Sequence, residues 1–418
     1  MADEARDSSD AARVENGDAV PTPRACIIFA LSGRTRTRER RTSRRGTVDR
    51  AEAPGDARAV MEADRAEALA SVLDVVPPVR HAFGYGSGVF AQPSPSDAPV
   101  DDDAARRASG RAATPSGAVA DFVFVVESPR RWHAENMARN PTHYAPHVRL
   151  LGPTFAASLA ESVGAGVHYN TLLPWNLPTN PLGFTAYKYG VVSADAARDD
   201  LLHWRHLFLA GRMQKPVASL GRPDPDVAAA VDVNLRAALA AALLVLPERF
   251  PLENLHRALC GLSYRGDVRV ALGAEDARKI ERIARGSAGA LERLYRPATD
   301  ALADSPVGLR PAEASGREGA WWGQDKGEGA RATLLAALPR RALSAMGAPI
   351  EGGAEEAAEA LARKGGDVGA AAMAFAERTV RWSSARQTLA SALVTSPDKA
   401  VRYVAAKVWK SVASRVPR

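Results

Sequence analysis

"FGYGSGVF", Phe83–Phe90, sets three glycines (Gly84, Gly86 and Gly88) around one serine, Ser87. Glycine lets backbone N–H groups approach phosphate oxygens with no Cβ in the way, and a serine hydroxyl donates to the same oxygens. Alone, the stretch has two readings, a tight turn or a phosphate cradle. It lacks the Lys-Ser/Thr ending of a P-loop, and it is not a Gly-x-Gly-x-x-Gly opening a helix within a βαβ unit. Its surroundings decide. Upstream, "MEADRAEALASVLDVV" (61–76) carries apolar residues at helical spacing. Downstream, "DFVFVV" (Asp121–Val126) is a β-branched and aromatic run, a strand by pattern. "SPRRWHAENM" (128–137) then predicts a helix, with Ser128 as N-cap and Pro129 in the first turn. A helix, a strand-like approach, Gly-Ser and a strand opening on an aspartate is the layout of a nucleotidyltransferase domain. There the strand-edge carboxylate binds Mg2+, which bridges the triphosphate and stabilises the leaving pyrophosphate. Asp121 is therefore the candidate metal ligand.

The carboxylate set is incomplete. Such strands usually carry Asp-x-Asp or Asp-x-Glu, whereas this one reads Asp121-Phe122-Val123. Glu127 has the parity to share a face with Asp121, but six residues of strand span about 20 Å, too far for one ion. Glu127 is expected instead at the start of the following helix, where its charge suits the dipole. Asp199 and Asp200 precede an amphipathic helix. Either would cap it, or Asp200 would supply the missing carboxylate. His133, His143 and His147 are poorly spaced for a metal and read as structural or phosphate-contacting. Trp204 and Phe208 read as core, and Asp101–Asp103 as a solvated acidic run.

The chain has 418 residues, 46% of them hydrophobic, and a formal charge of +7, which admits a nucleic-acid, membrane or anionic-substrate partner. Cys26 and Cys260 lie far apart with no metal-ligand spacing, so neither a zinc site nor a disulfide framework is expected. The longest apolar runs, Ala25–Leu31 and Ala238–Leu246, fall far short of the roughly 20 residues of a membrane span. Residues 1–60 are expected to be disordered; from Arg34 they are rich in Arg, Ser and Thr, as in a transit peptide or a basic arm. Residues 61–193 read as the α/β domain, interrupted at 93–119 by a flexible Pro-, Ser-, Ala- and Asp-rich insertion. "GVHYNTLLPW" (166–175) and "AYKYGVVS" (Ala186–Ser193) add strands. Residues 194–298 read as mostly helical. Residues 299–380 are Gly- and Ala-rich, and little order is expected there beyond one or two helices. Residues 381–418 read as a C-terminal amphipathic membrane-binding helix. Within it Val401, Val404, Ala405, Val408, Val412 and Val416 recur at helical spacing beside Tyr403, Trp409 and the six Lys/Arg of residues 396–418. That pattern predicts an amphipathic helix lying in a membrane interface, where each basic residue near anionic lipid adds about 1 kcal/mol.

Several long stretches then carry a resemblance in order: "FGYGSGVF", "DFVFVVESPRRWHAENMARNPTHYAPHVRLLGP", "GAGVHYN", "YKYGVVS" and "DLLHWRHLFLAGRMQKPV". With "LPERFPLENLHRALCGLSYRGDVRV" and "ARQTLASALVTSPDKAVRYVAAKVWKS", they are similar to the mitochondrial translocator assembly and maintenance family of peripheral phosphatidate cytidylyltransferases. The similarity covers residues 66–297 and 381–412. It implies that CTP and phosphatidic acid give CDP-diacylglycerol and pyrophosphate with Mg2+, in the service of cardiolipin synthesis. It also implies a winged-helix-like helical domain and a place on the matrix face of the inner mitochondrial membrane. By match to the family motifs, Gly86 and Ser87, with Gly88 beside them, hold the triphosphate. Asp121 binds the metal, and Lys188 of "KYG" neutralises the triphosphate or the attacking phosphatidate. Arg212 and Lys215 are a cationic pair suited to polyphosphate. The insertion between Ser87 and Asp121 and the long segment before the tail depart from the family. Two other readings stay open: a nucleotidyltransferase acting on RNA, although no RNA-binding module is visible and no nucleic-acid partner is expected, and a non-catalytic inner-membrane assembly factor.

Overall fold

The computed structural model describes residues 65, 67–86, 88–90, 119–177, 179–180, 183–271, 278–312, 320–349 and 352–395. The expected N-terminal segment, nearly all of the insertion, Ser87 and the chain beyond Thr395 lie outside the described residues.

Five strands make one sheet: β1 (His81–Tyr85), β2 (Val119–Val126), β3 (His168–Pro174), β4 (Ala186–Ser193) and β5 (Ala218–Leu220). Their order is β3-β4-β2-β1-β5. β2 and β4 run parallel, and every other pair is antiparallel. β2 sits in the middle, which explains its nearly unbroken apolar run: both faces are buried. Phe122 and Phe124 pack on one side with Tyr189, Trp132, Leu69 and Val72. Val123 and Val125 point the other way, into a core shared with Leu201, Trp204 and Leu239. The helix after β2, α1 (Pro129–Arg139), starts as its sequence demands: Ser128 Oγ accepts the Arg131 N–H at 3.4 Å and Pro129 follows it. A second helix, α2 (Pro146–Ser158), lies beside it.

From Ala194 the chain is mostly helical: α3 (Ala194–His203), the short α4 (Ala210–Met213), α5 (Pro225–Val245), α6 (Leu252–Gly261), α7 (Lys279–Gly286), α8 (Ala288–Ala303), α9 (Glu328–Ala336), α10 (Ala354–Lys364) and α11 (Val368–Val394). α5 is the hub. Among the described residues it is the one helix long and apolar enough to cross a membrane, yet its Ala237–Leu244 run is buried against its neighbours. Asp224 caps it by accepting the N–H groups of Asp226 and Val227. A small antiparallel sheet, β6 (Arg249–Pro251), β8 (Trp321–Gly323) and β7 (Arg310–Ala312) in that order, flanks the bundle.

Residues 299–380 differ from expectation. They hold the end of α8, β7, β8, α9, α10 and the first half of α11. Alanine is the best helix former, and here glycine punctuates rather than dissolves the helices. Gly327 and Gly353 stand at the N-caps of α9 and α10, and Gly365 and Gly366 take positive φ between α10 and α11. Residues 381–394 are likewise not a separate element but the second half of α11. Gln387 clamps that half to the sheet: its Nε2 donates to the Val167 carbonyl at 3.0 Å and its Oε1 accepts the Ala165 N–H at 3.0 Å. β5 comes from beyond residue 193 yet pairs with β1, Ala82 opposite Leu220, so the sheet draws on the helical part of the chain.

Candidate active site

Three side chains stand in a row across neighbouring strands. Tyr85 is opposite Asp121, and Asp121 is opposite Lys188. Alternation puts Asp121 on the same face as Val123 and Val125. At the sheet's end, beyond those valines, it reaches partial exposure. Lys188 Nζ meets Asp121 Oδ1 at 2.7 Å, with the two side chains 31% and 20% exposed. Gly86 follows Tyr85 with φ +81°, and a Cβ there would sit 3.2 Å from Asp121 Oδ2. Its carbonyl accepts the Val89 N–H at 3.2 Å and the Phe90 N–H at 2.9 Å, so the glycine stretch does form a tight turn. Gly88 is also required, because a Cβ there would collide with the Val119 carbonyl oxygen. The turn and the start of β2 therefore pack backbone to backbone, beside the carboxylate.

Tyr169 roofs the row. It stands opposite Gly190, where a Cβ would lie 2.9 Å from the ring, so glycine makes the space it occupies. Its hydroxyl lies 3.4 Å from that of Tyr85, and Lys188 Nζ sits 5.9 Å from its ring centre. Arg212, on α4, brings its guanidinium 3.8 Å from the Phe208 ring centre and 5.2 Å from that of Tyr85. Burial alone would raise the Tyr85 phenol, but Lys188 and Arg212 outweigh it and hold it below its ordinary value. Arg212 donates Nη1 to the Phe208 carbonyl at 2.7 Å, while its buried Nε has no hydrogen-bond partner among the described residues. The site is thus rich in positive charge, with one carboxylate at its centre.

Asp200 builds the platform for Arg212. Its buried carboxylate accepts five backbone N–H groups: His206 and Leu207 on Oδ1, and Phe208, Leu209 and Ala210 on Oδ2, at 2.7–3.1 Å. Trp204 and Leu207 take positive φ to aim those amides inward. This overturns the reading in which Asp200 supplies the missing carboxylate: its oxygens are fully engaged in shaping the loop that starts α4. Glu127 lies at the far end of β2, paired with Arg80 at 2.8 Å. Among the described residues no group of three His, Cys, Asp or Glu converges.

Of the other predicted site residues, Lys215 is held apart from the row. Its Nζ donates to the Gly211 carbonyl and to Ser263 Oγ, and lies 5.2 Å from the Tyr264 ring centre, which Lys279 approaches as closely. Burial, reinforced by Arg212 and Lys279 against Cys260, brings its ammonium down to about 7. His133 and His143 bond the hydroxyls of Tyr144 and Tyr189 at 2.8 and 2.9 Å, and His147 Nε2 donates to the Leu393 carbonyl. Trp204 is core, donating to Asn234. Tyr85, Tyr169 and Gly190 escaped the sequence reading; the "YGSG" and "KYG" stretches contained two of them, but only strand pairing joins them.

Comparison with known proteins gives the family. Residues 69–410 match the family described as "Phosphatidate cytidylyltransferase, mitochondrial". A Drosophila melanogaster protein of that name is 41% identical over 63% of this chain and 73% of its own length. A Xenopus laevis protein of the same name is 33% identical over 80% of this chain and 90% of its own. A Homo sapiens one is 38% identical over 51% and 42%. The chain belongs to the mitochondrial phosphatidate cytidylyltransferase family.

Proposed function

We propose that this chain transfers the cytidylyl group of CTP to phosphatidic acid, giving CDP-diacylglycerol and pyrophosphate for mitochondrial phospholipid synthesis, cardiolipin included. The observation that carries the proposal is the Tyr85–Asp121–Lys188 row with Gly86 and Arg212 beside it, in a member of this family. A phosphatidate oxygen attacks the α-phosphorus of CTP, and the bond from that phosphorus to the pyrophosphate oxygen breaks. Phosphatidate is already anionic near neutral pH, so no strong general base is needed. The protein's contribution is position and charge. Gly86, with Ser87 and Gly88, brings the turn close to the triphosphate. Lys188 and Arg212 offset its charge, and the unpartnered Arg212 Nε supports an anionic occupant. Lys215 serves at one remove, beside Arg212.

Asp121 would hold Mg2+. A single partly exposed carboxylate suits an ion that takes its remaining oxygens from phosphates and water. Bound there, Mg2+ would neutralise charge on the departing pyrophosphate.

The small sheet β6-β8-β7 against the helices supports the winged-helix-like reading of the second part. We place the protein on the matrix side of the inner mitochondrial membrane, held peripherally through the basic, Trp-bearing C-terminal residues, with no nucleic acid as substrate. Purified protein given Mg2+, each nucleoside triphosphate in turn, and phosphatidate vesicles or RNA should release pyrophosphate only with CTP and phosphatidate. Release with an RNA acceptor, or with no acceptor preference, contradicts the proposal.

A further inference from the structure

α11 turns an apolar stripe outward. Trp382, Leu389 and Leu393 are 67%, 55% and 46% exposed. Their offsets of seven and eleven residues return to nearly the same side of a helix with 3.6 residues per turn. The opposite side carries Val380, Ser384, Gln387 and Ala390 into the body. The stripe ends against α2: His147 Nε2 donates to the Leu393 carbonyl at 2.8 Å, and Val394 packs with Tyr144 and Val148. α2 itself is broken at Gly152, where φ 81° and ψ 179° are not helical. The two residues before the break, Leu150 and Leu151, are 88% and 56% exposed. These five account for all but Val245 of the large exposed hydrophobics among the described residues, and all lie on two helices that touch. Scattered exposed leucines need no explanation, but a set confined to two adjoining helices points to a contact surface.

We propose that the Trp382–Leu389–Leu393 stripe and the Leu150–Leu151 knuckle are a membrane-contact surface in their own right, seated at the headgroup boundary of an anionic bilayer. The occupant follows from charge and continuity. Arg149 adjoins the knuckle, and Arg378 stands exposed at the head of the stripe beside Arg381, which pairs with Glu377 at 2.6 Å. Beyond Thr395 the chain continues into residues 396–418, with six Lys/Arg against one Asp. A second copy would bring like charge to this surface, whereas an anionic bilayer brings the opposite sign together with an apolar interior. The inference extends the peripheral-membrane reading but does not rest on the catalytic one.

The test is flotation of the full-length protein with phosphatidylcholine vesicles containing anionic phosphatidylglycerol. Two double variants are compared, Leu150→Glu/Leu151→Glu and Trp382→Ser/Leu389→Ser, both with residues 396–418 intact. All four positions are exposed, so thermal melting should be unchanged. Each variant should partition about tenfold more weakly. The deficit should persist at high salt, where the contribution of the basic residues is screened and an apolar contact is not. Undiminished binding of either variant overturns the proposal. So does a wild-type protein that is dimeric by size and becomes monomeric in the variants, since the surface would then join two copies. Both variants should keep cytidylyl transfer to detergent-dispersed phosphatidate, so a failure here is distinct from a failure of the transferase reading.

Discussion

Lys215 shows how one side chain's surroundings change what it contributes. Its ammonium, brought down to about 7 from an ordinary 10.5, is disfavoured in the fold chiefly by burial. Between those two values the unfolded chain keeps a proton that the folded chain has lost. Stability therefore rises as pH climbs from about 7 towards 10.5. Melting temperature measured across that window should show the rise in the wild type and lose most of it in Lys215→Met. Lys188 makes the contrast: it is partly exposed and carries a direct carboxylate partner, Asp121 Oδ1 at 2.7 Å. The "KYG" triplet placed Lys188 on a strand. Only the register opposite Asp121 shows why it matters.

At the scale of elements, the loop between α3 and α4 is organised by one carboxylate. Asp200→Ala leaves five buried N–H groups without their acceptor, and should cost about 3 kcal/mol in denaturant unfolding. Turnover should also fall, because Arg212 would no longer be held over Tyr85. Asp200→Asn should be intermediate, since an amide offers only one accepting oxygen. The buried histidines of the sheet respond to acid. Burial lowers His81 and His168 to about 4 from 6.5, and it lowers His133 as well. Their neutral forms support the fold above 6.5, and that support is lost as pH falls from 6.5 towards 4. His81 and His168 each contribute on the order of 3 kcal/mol, so melting temperature should drop steeply over that range. β2, β3, β4 and the α1 cap were legible in the sequence because alternation, β-branching and Ser-Pro are local signals, whereas the three-residue strands β5 to β8 are too short to carry a pattern. The Asp200 clasp was not, because its donors are backbone groups made available by left-handed residues at Trp204 and Leu207. The helices of 299–380 were obscured by their alanine content, which signals helix and low complexity alike.

Across the whole molecule, α5 joins the parts. One core runs from Phe83 and Val125 on the sheet, through Leu239 and Leu243 on α5, to Phe375 and Val380 on α11. Leu239→Ala should cost about 2–5 kcal/mol, and the described parts should still melt in a single transition, because no layer keeps a core of its own on that side. The shared core also fixes Arg212, from the helical layer, against Tyr85, from the sheet, so the site depends on the two being joined. The row's role in the chemistry is the claim on which the rest depends. The direct test is transfer of label from α-phosphorus-labelled CTP into lipid, using phosphatidate vesicles and Mg2+, with wild type and Asp121→Asn compared at equal thermal stability. The wild type should form labelled CDP-diacylglycerol with one pyrophosphate released per product, and Asp121→Asn should lose about 100-fold or more of that rate. Undiminished labelling by Asp121→Asn would place the chemistry elsewhere.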